Sequence, residues 1–356
     1  STSTAAGSIC THAEPGSALN RLGAGHFGEV WLVTDTFLNV ERALKLIPPD
    51  KVPNKTNFFH EAQILKAAEH PNVVKVEETG TLEDGRIYVA MEYLSRGSLE
   101  DEASGAYVPL TRAKRLMIDV LRGLEHAHSK GILHRDIKPA NILVGHTLEG
   151  KLSDFGLAIP SGHAAKSIGV KDYAYILHLA PEVSPTRNYS VQSDIYACGV
   201  TLYRLVNGDT YLPPLSPGEI IKQSQAGKYP NRSSYRDFIP RPLRALINKA
   251  IQIDPSQRFQ SAEDLRHALE QIAININWQE RTSSQGKKWS AGWGDKCYEI
   301  ERVKSANNKW EISVRKGKSK RTLRIMNALC RSNLSKTKAE QETRRLLQDF
   351  VLGKWK

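Results

Sequence analysis

The segment His134-Arg135-Asp136-Ile137-Lys138-Pro139-Ala140-Asn141, followed further along by Asp154-Phe155-Gly156, decides the fold of this chain. The carboxylate of Asp136 can accept a proton from a hydroxyl group, while Asn141 and Asp154 offer the hard oxygen ligands that divalent metal ions prefer. Phosphoryl transfer needs positioning and charge neutralisation more than covalent help from the protein, and these residue types supply both. These three residues indicate phosphoryl transfer specifically only when phosphate-binding residues precede them in the chain.

A glycine-rich turn near the start of the chain is the first such feature. It reads Leu22-Gly23-Ala24-Gly25-His26-Phe27-Gly28, and its glycines let the backbone close over phosphates without a side-chain clash. Dinucleotide-binding folds use the same glycine spacing, but there a helix follows the turn. Here Val30-Trp31-Leu32-Val33 continues as a predicted strand, which disfavours a dinucleotide site.

A lysine and a glutamate follow the turn. Lys45 ends the predicted strand Arg42-Ala43-Leu44-Lys45. Glu61 lies on a predicted helix over 58–69. Another predicted strand runs from Ile87 to Leu94.

Residues from about Leu19 to Ile276 resemble a eukaryotic-type (Hanks-type) serine/threonine protein kinase catalytic domain. The resemblance is carried by the features above and by Ala180-Pro181-Glu182, which matches the end of a kinase activation segment. It implies an α+β, bilobal protein-kinase fold with a small β-rich N-lobe and a larger helical C-lobe. It also implies ATP and Mg²⁺ as cofactors, with Mn²⁺ as an alternative metal.

The resemblance assigns roles residue by residue. Asp136 matches the catalytic base, Lys138 the residue that contacts the γ-phosphate in serine/threonine kinases, and Asn141 and Asp154 the two metal-holding positions. Lys45 matches the lysine on the α- and β-phosphates, with Glu61 as its partner. The other nucleotide-binding positions are Leu22, Gly23, Ala24, Gly25, His26, Phe27, Gly28, Val30, Ala43, Met91, Glu92, Leu94 and Leu143.

Two observations concern the activation segment. Arg258 matches the arginine that pairs with Glu182 in the family. However, Tyr175 and His178 stand where kinases usually have threonine and tyrosine, which leaves the peptide preference open. Autophosphorylation is expected in this segment, with Ser167 as the first choice among Ser161, Ser167, Tyr173 and Tyr175.

The charge of the chain is unevenly distributed. The net charge is +12 over 356 residues, and residues 277–356 hold twenty basic and eight acidic side chains, which accounts for all of it. Five of the six tryptophans also lie there. This shift in composition marks a domain boundary near Asn275–Arg281. Together with the family resemblance, it predicts three regions: a disordered or extraneous tail over 1–17, a kinase domain over 18–277 and a basic, Trp-rich domain over 278–356.

The same composition excludes several classes of protein. The four cysteines are far apart and contain no Cys-x-x-Cys pair, which argues against a disulfide framework and a zinc site. No apolar run approaches the roughly 18–20 residues of a membrane span, and the first residues lack a signal-peptide pattern. A cytoplasmic protein without a membrane span is therefore expected.

The basic domain is predicted to be a β-β-β-α unit. Cys297 to Val303, Lys309 to Lys316 and Thr322 to Cys330 alternate as strands do, and Lys336 to Leu352 has the apolar spacing of a helix. The order is loosely similar to a double-stranded-RNA-binding domain, although the first helix of that fold is not evident. Nucleic acid or another polyanion, a docking partner, and no ligand at all remain open for this basic surface.

The sequence thus predicts an ATP-dependent kinase that acts on Ser/Thr hydroxyls of protein substrates, with a C-terminal domain that recruits an anionic partner or substrate. Two alternatives remain. One is a catalytically weak kinase-fold scaffold or nucleic-acid-binding protein. The other is a small-molecule kinase, which the Ala-Pro-Glu segment and Arg258 disfavour.

Overall fold

The structure is a computed structural model of the chain. It describes residues 20–25, 28–35, 38–52, 56, 59, 62, 63, 66, 69–155, 176–186, 188–305 and 307–355. The predicted tail 1–17, Glu61 and most of the activation segment therefore lie outside the described residues. Of the predicted helix 58–69, the described positions 59, 62, 63 and 66 are helical.

The first lobe is a five-stranded antiparallel sheet, which confirms the β-rich N-lobe that the family resemblance implies. Its strands are β1 (Asn20–Gly25), β2 (Gly28–Asp35), β3 (Val40–Ile47), β4 (Val76–Thr81) and β5 (Ile87–Glu92), in the order β1-β2-β3-β5-β4. Side chains alternate between its two faces, so that Ala43, Val89 and Met91 share one apolar cluster and Leu44 and Ala90 another. Because the period is two, Lys45 lies on the same face as Ala43.

The second lobe is helical around one small hairpin. Its helices are α1 (Glu100–Gly105), α2 (Leu110–Ser129), α3 (Val183–Thr186), α4 (Val191–Asn207), α5 (Pro217–Gln225), α6 (Arg241–Ala250) and α7 (Ala262–Glu270), and the hairpin is β6 (Ile142–Val144) with β7 (Gly150–Leu152). Almost all of α4 is buried, so it forms the centre of this lobe. Short 3₁₀ turns occur at Pro49–Lys51, Pro139–Asn141, Asp209–Tyr211 and Pro255–Gln257.

An ion pair predicted from the family resemblance ties the end of the activation segment to this lobe. Arg258 donates from both terminal nitrogens to the Glu182 carboxylate at 2.7 Å, and its side chain is fully buried. Such a bidentate contact fixes the distance and the angle between the two segments.

The C-terminal sheet has six strands rather than the three predicted. They are β8 (Gln279–Ser283), β9 (Gly286–Trp293), β10 (Lys296–Lys304), β11 (Trp310–Gly317), β12 (Arg324–Ile325) and β13 (Arg331–Leu334). The order is β12-β11-β10-β9-β8, and β13 also pairs with β11. Helix α8 covers Lys336–Leu352, as predicted. No helix precedes the sheet within the described part of this domain, so the topology differs from a double-stranded-RNA-binding domain.

The predicted third strand, 322–330, is the clearest error. It is divided among the 3₁₀ turns Lys320–Thr322 and Asn327–Leu329 and the two-residue strand β12. Leu323, Met326 and Leu329 are its partly buried apolar residues, and they recur every third position. A spacing of three fits 3₁₀ turns better than the alternation of a strand. The hairpin β8–β9 was missed because its mostly polar residues show no alternation.

The C-terminal domain shares its core with the helical lobe. Trp278 is buried against Phe350 of α8, and its indole N–H donates to the Leu347 carbonyl at 3.1 Å. The Tyr107 hydroxyl of the helical lobe donates to the Trp278 carbonyl and accepts from the Glu280 amide, both at 2.8 Å. One apolar cluster is therefore continuous across the junction. Within the described residues, no helix combines the length and the apolar character that a membrane span requires.

We expect Phe350→Ala to lower the free energy of unfolding by about 3–5 kcal/mol, since it removes a fully buried ring from this shared core. Urea unfolding followed by circular dichroism measures the change. The exposed Gln341→Ala on the same helix is the control and should change stability by less than about 0.5 kcal/mol. An early, separate transition of the C-terminal domain that leaves the helical lobe intact would contradict a shared core.

Candidate active site

One buried carboxylate, on α4, anchors the loop that holds Asp136. Asp194, near the start of α4, accepts the backbone N–H of His134 at 2.8 Å and that of Arg135 at 2.9 Å. Its Oδ2 also lies 2.9 Å from His128 Nε2. Arg135 has a positive φ of 69°, an uncommon conformation for such a residue. The Asp194 contacts hold this backbone in place.

The imidazole of His134 connects the two halves of the site. Its Nδ1 accepts the Asp136 amide at 3.2 Å, and its Nε2 lies 2.9 Å from the Ser153 carbonyl. The proton is therefore assigned to Nε2. Complete burial lowers the pKa of His134 to about 4, so the ring is neutral at pH 7.

The Asp136 carboxylate is held by two neighbours on its own loop. Lys138 Nζ and Asn141 Nδ2 each lie 2.9 Å from Asp136 Oδ2. Burial raises the pKa of Asp136, and the charge and hydrogen bonds of Lys138 and Asn141 oppose the shift. A carboxylate with a raised pKa in a fixed orientation is suited to accept a proton.

Asn141 and Asp154 lie on neighbouring segments of the site. The Asn141 amide nitrogen is committed to Asp136, which leaves its Oδ1 as the atom available to a cation. The Asn141 carbonyl accepts the Ser153 amide at 2.9 Å, so the two segments are bonded next to Asp154. One amide oxygen and one carboxylate fit Mg²⁺, which usually takes its remaining ligands from phosphates and water.

Lys45 and Asp154 join the two lobes across the cleft. Lys45 Nζ lies 2.8 Å from Asp154 Oδ1, although the residues are 109 positions apart. Burial alone would raise the pKa of Asp154, but the Lys45 charge and hydrogen bond outweigh it, so the pKa of Asp154 is lowered. Glu61, the predicted partner of Lys45, lies outside the described residues.

The predicted adenine-binding residues form one apolar cluster. Ala43, Met91 and Leu94 are buried in it, and Val30 and Leu143 pack against it from above and below the cleft. Glu92 departs from the prediction in one respect. Its amide donates to the Lys75 carbonyl at 3.0 Å, so only its carbonyl remains for a base.

The glycine turn is described in part. Leu22, Gly23, Ala24 and Gly25 lie on β1 and Gly28 begins β2, whereas His26 and Phe27 lie outside the described residues. Gly28 has a φ of 134°, and a Cβ there would overlap the Leu46 carbonyl oxygen. No other residue fits that position without a backbone shift.

A small cavity lies beside the catalytic loop. It is lined by residues that include Asp136, His178, Ala180 and Tyr189. His178 is buried there, so its unusual identity bears directly on the shape of this wall. Tyr175, the other departure from the family, lies outside the described residues.

Three residues that build the site had no role predicted from the sequence. Asp194, His134 and Ser153 form hydrogen bonds that hold the backbone around Asp136 and Asp154 in place. The sequence provided a weak indication for Asp194, because an acidic residue in the apolar run of α4 needs hydrogen-bond donors when it is buried. Ser153 had none, because its role depends on a contact made only after folding.

The two-lobed fold and this cleft define a protein kinase catalytic domain. The sequence profile of the family described as protein kinase domain matches residues 17–269, and the chain therefore belongs to that family. Serine/threonine-protein kinase PknJ of Mycobacterium tuberculosis (strain ATCC 25618 / H37Rv) is 31% identical over 259 residues, 69% of this chain and 43% of that protein. PrkC of Bacillus subtilis (strain 168) is 30% identical over 252 residues, which is 69% of this chain and 39% of PrkC. The chain thus spans about two fifths of the length of these curated relatives.

Because His134 is buried, we expect the folded chain to lose stability in acid. In the unfolded chain a histidine has a pKa of about 6.5, whereas folding lowers it to about 4. Below pH 6.5 the unfolded state binds a proton that the folded state excludes. The contribution of His134 to the free energy of unfolding is therefore complete above pH 6.5 and falls by up to about 3 kcal/mol as the pH approaches 4.

Urea unfolding at pH 7.5 and pH 5 measures this effect. His134→Gln should show a smaller difference between the two pH values than the unmodified chain, because it removes the titrating group. The exposed His267→Gln serves as the matched control and should retain the full difference. Equal pH dependence in His134→Gln and the unmodified chain would show that His134 does not titrate in this way.

Proposed function

We propose that the chain is an ATP-dependent protein kinase that transfers the γ-phosphoryl group of ATP to Ser/Thr hydroxyls of protein substrates. The observation that carries this proposal is the convergence of Lys45, Asp136, Lys138, Asn141 and Asp154 on one cleft between the lobes. Lys45 lies 2.8 Å from Asp154, and Lys138 and Asn141 each lie 2.9 Å from Asp136. The two cations, two carboxylates and one amide in these contacts match the needs of phosphoryl transfer.

The proposed roles follow from these contacts. Lys45 binds the α- and β-phosphates, with Glu61 as its expected partner, and the strand turn from Leu22 to Gly28 covers them. Asn141 Oδ1 and Asp154 hold Mg²⁺, which neutralises charge on the phosphates when bound. The adenine ring lies in the apolar cluster of Val30, Ala43, Met91, Leu94 and Leu143, with the Glu92 carbonyl and the Leu94 backbone at its edge.

Asp136 orients the acceptor hydroxyl and receives its proton. A bond forms between the acceptor oxygen and the γ-phosphorus as the bond to the bridging oxygen of ADP breaks. Lys138 lies beside Asp136 Oδ2 and stabilises charge on the transferring group. The lysine at this position favours Ser/Thr over Tyr acceptors by family resemblance.

We expect Lys45→Met and Asp136→Asn each to lower phosphoryl transfer from ATP into protein by at least about a hundredfold. Each substitution removes one preorganised charge from the site. The measurement is transfer of labelled phosphate to a protein acceptor in the presence of Mg²⁺. Lys222→Met and Asp101→Asn replace exposed residues of the same types and should leave transfer unchanged.

The same assay separates the alternatives. A scaffold with a kinase fold would bind ATP, seen as a rise in thermal midpoint, without labelling any acceptor. A small-molecule kinase would consume ATP only when a soluble acceptor is added. Labelling of protein by the unmodified chain, lost in Asp136→Asn, supports the proposal over both.

Autophosphorylation is a further part of this proposal. The candidate acceptors Ser161, Ser167, Tyr173 and Tyr175 lie outside the described residues, in the segment that leads to His178 beside the catalytic loop. Mass spectrometry after incubation with ATP should find phosphate in 156–175, with Ser167 first, and none in Asp136→Asn. An unmodified segment in active enzyme would rule this out.

The basic domain is proposed to recruit an anionic partner or substrate. Its net charge of +12 stands beside a catalytic domain whose charges balance. Such a surface raises the local concentration of anions and does so less at high salt.

A further inference from the structure

One corner of the C-terminal sheet combines exposed aromatic surface with unpaired cations. Four rings meet there: Trp355 stacks on Phe350 with centroids 4.6 Å apart, and it contacts Tyr298 at 6.0 Å and Trp293 at 4.7 Å. Phe350 and Tyr298 are buried, so the cluster is rooted in the domain core. Trp293 is its outermost ring.

Trp293 is held in place but open to solvent. It ends β9 and pairs with Lys296 across a tight turn in which Gly294 has a φ of 60°. Its ring is fixed at 78° to Trp355, yet 41% of its surface remains exposed. A rigid indole with an open face loses little conformational freedom when another flat ring stacks on it.

A row of cations extends from this ring across the same face of the sheet. Tyr298 on β10 pairs with Lys316 on β11, which pairs with Arg324 on β12. Directly opposed residues share a face, so these side chains lie on the side of Trp293, and Lys316 Nζ lies 5.7 Å from the Tyr298 ring centre. With strands about 5 Å apart, the row reaches roughly 10–15 Å from β9.

The opposite face of the sheet neutralises its own charge. Glu299 lies 2.6 Å from Lys288 and 2.7 Å from Arg315, and Glu301 lies 3.4 Å from Arg315. Among the described residues, no ion pair involves Lys296, Lys316, Arg324 or Lys354, and Asp295 is the single acid in the β9–β10 turn. The uncompensated charge of the sheet is therefore concentrated on the face that carries the exposed ring.

We propose that this corner binds single-stranded nucleic acid, with a base stacked on Trp293 and the phosphates that follow it on Lys316 and Arg324. An acidic peptide would satisfy the cations but offers no flat ring for the indole. A duplex would present phosphates but keeps its bases stacked on one another. Single strands offer both partners at once, and stacking of this kind tolerates any base. The inference rests on the proposed anion-recruiting role of the domain and names its ligand.

Fluorescence anisotropy of a labelled oligothymidylate with the full chain tests the proposal. Trp293→Ala should weaken binding at least about fivefold, while Trp293→Phe, which keeps a flat ring, should stay within about twofold of the unmodified chain. Lys316→Gln and Arg324→Gln should each weaken binding and reduce the slope of log K against log salt by about 0.7. Lys304→Gln removes an exposed cation at the far end of β10 and should change neither.

The outcomes separate this inference from the broader role. One outcome would show that the site recognises charge alone and that the inference is wrong. In that outcome, heparin or a duplex of equal length competes as well as the unlabelled single strand, and Trp293→Ala binds as tightly as the unmodified chain. Absence of binding to any of these polyanions at low salt would overturn both the inference and the anion-recruiting role. Phosphoryl transfer should be the same in all five substituted chains, so neither result bears on the kinase proposal.

Discussion

The geometry of the cleft depends on the buried carboxylate of Asp194. It accepts hydrogen bonds from two consecutive backbone amides of the loop that carries Asp136, and it does so from α4, which is almost entirely buried. A buried carboxylate is stable only with such donors, and the loop in turn adopts a left-handed conformation at Arg135 that needs support. The loop amides supply the donors that Asp194 needs, and Asp194 supports the backbone at Arg135. The catalytic loop is therefore held rigidly against α4.

Two carboxylates in this cleft have pKa values displaced in opposite directions. Burial raises the pKa of Asp136, whereas the nearby charge of Lys45 lowers that of Asp154. Each carboxylate lies within 3 Å of a lysine, so the difference lies in the balance between burial and these favourable contacts, which burial dominates only at Asp136. It suits one group to receive a proton and the other to stay ionised beside a metal ion. His134, kept neutral by burial, bonds the two segments without adding a charge.

The C-terminal domain is joined to the helical lobe by both polar and apolar contacts. The Tyr107 hydroxyl bonds two backbone groups at the start of β8, and Arg344 of α8 lies 3.1 Å from Asp237 of the helical lobe. A domain of this size has little core of its own, so sharing a core with its neighbour is the physical route to stability. Its sheet thereby keeps one corner exposed in a fixed orientation relative to the kinase domain.

Sequence alone determined what depends on local spacing and residue chemistry. The helix from Lys336 to Leu352, the strand from Ile87 and the identity of the cleft residues follow from periodicity and motif, because a helix or strand repeats its environment at a fixed interval. It did not reveal the hairpin β8–β9, whose polar residues gain their pattern only beside β10, or the 3₁₀ turns between β11 and β13. Tertiary structure placed Trp293 and Lys316 on one face of the sheet. It alone decided that Asp194 holds the catalytic loop and that Lys45 meets Asp154. Each of these contacts joins residues far apart in the chain, and no local pattern encodes a distance that exists only after packing.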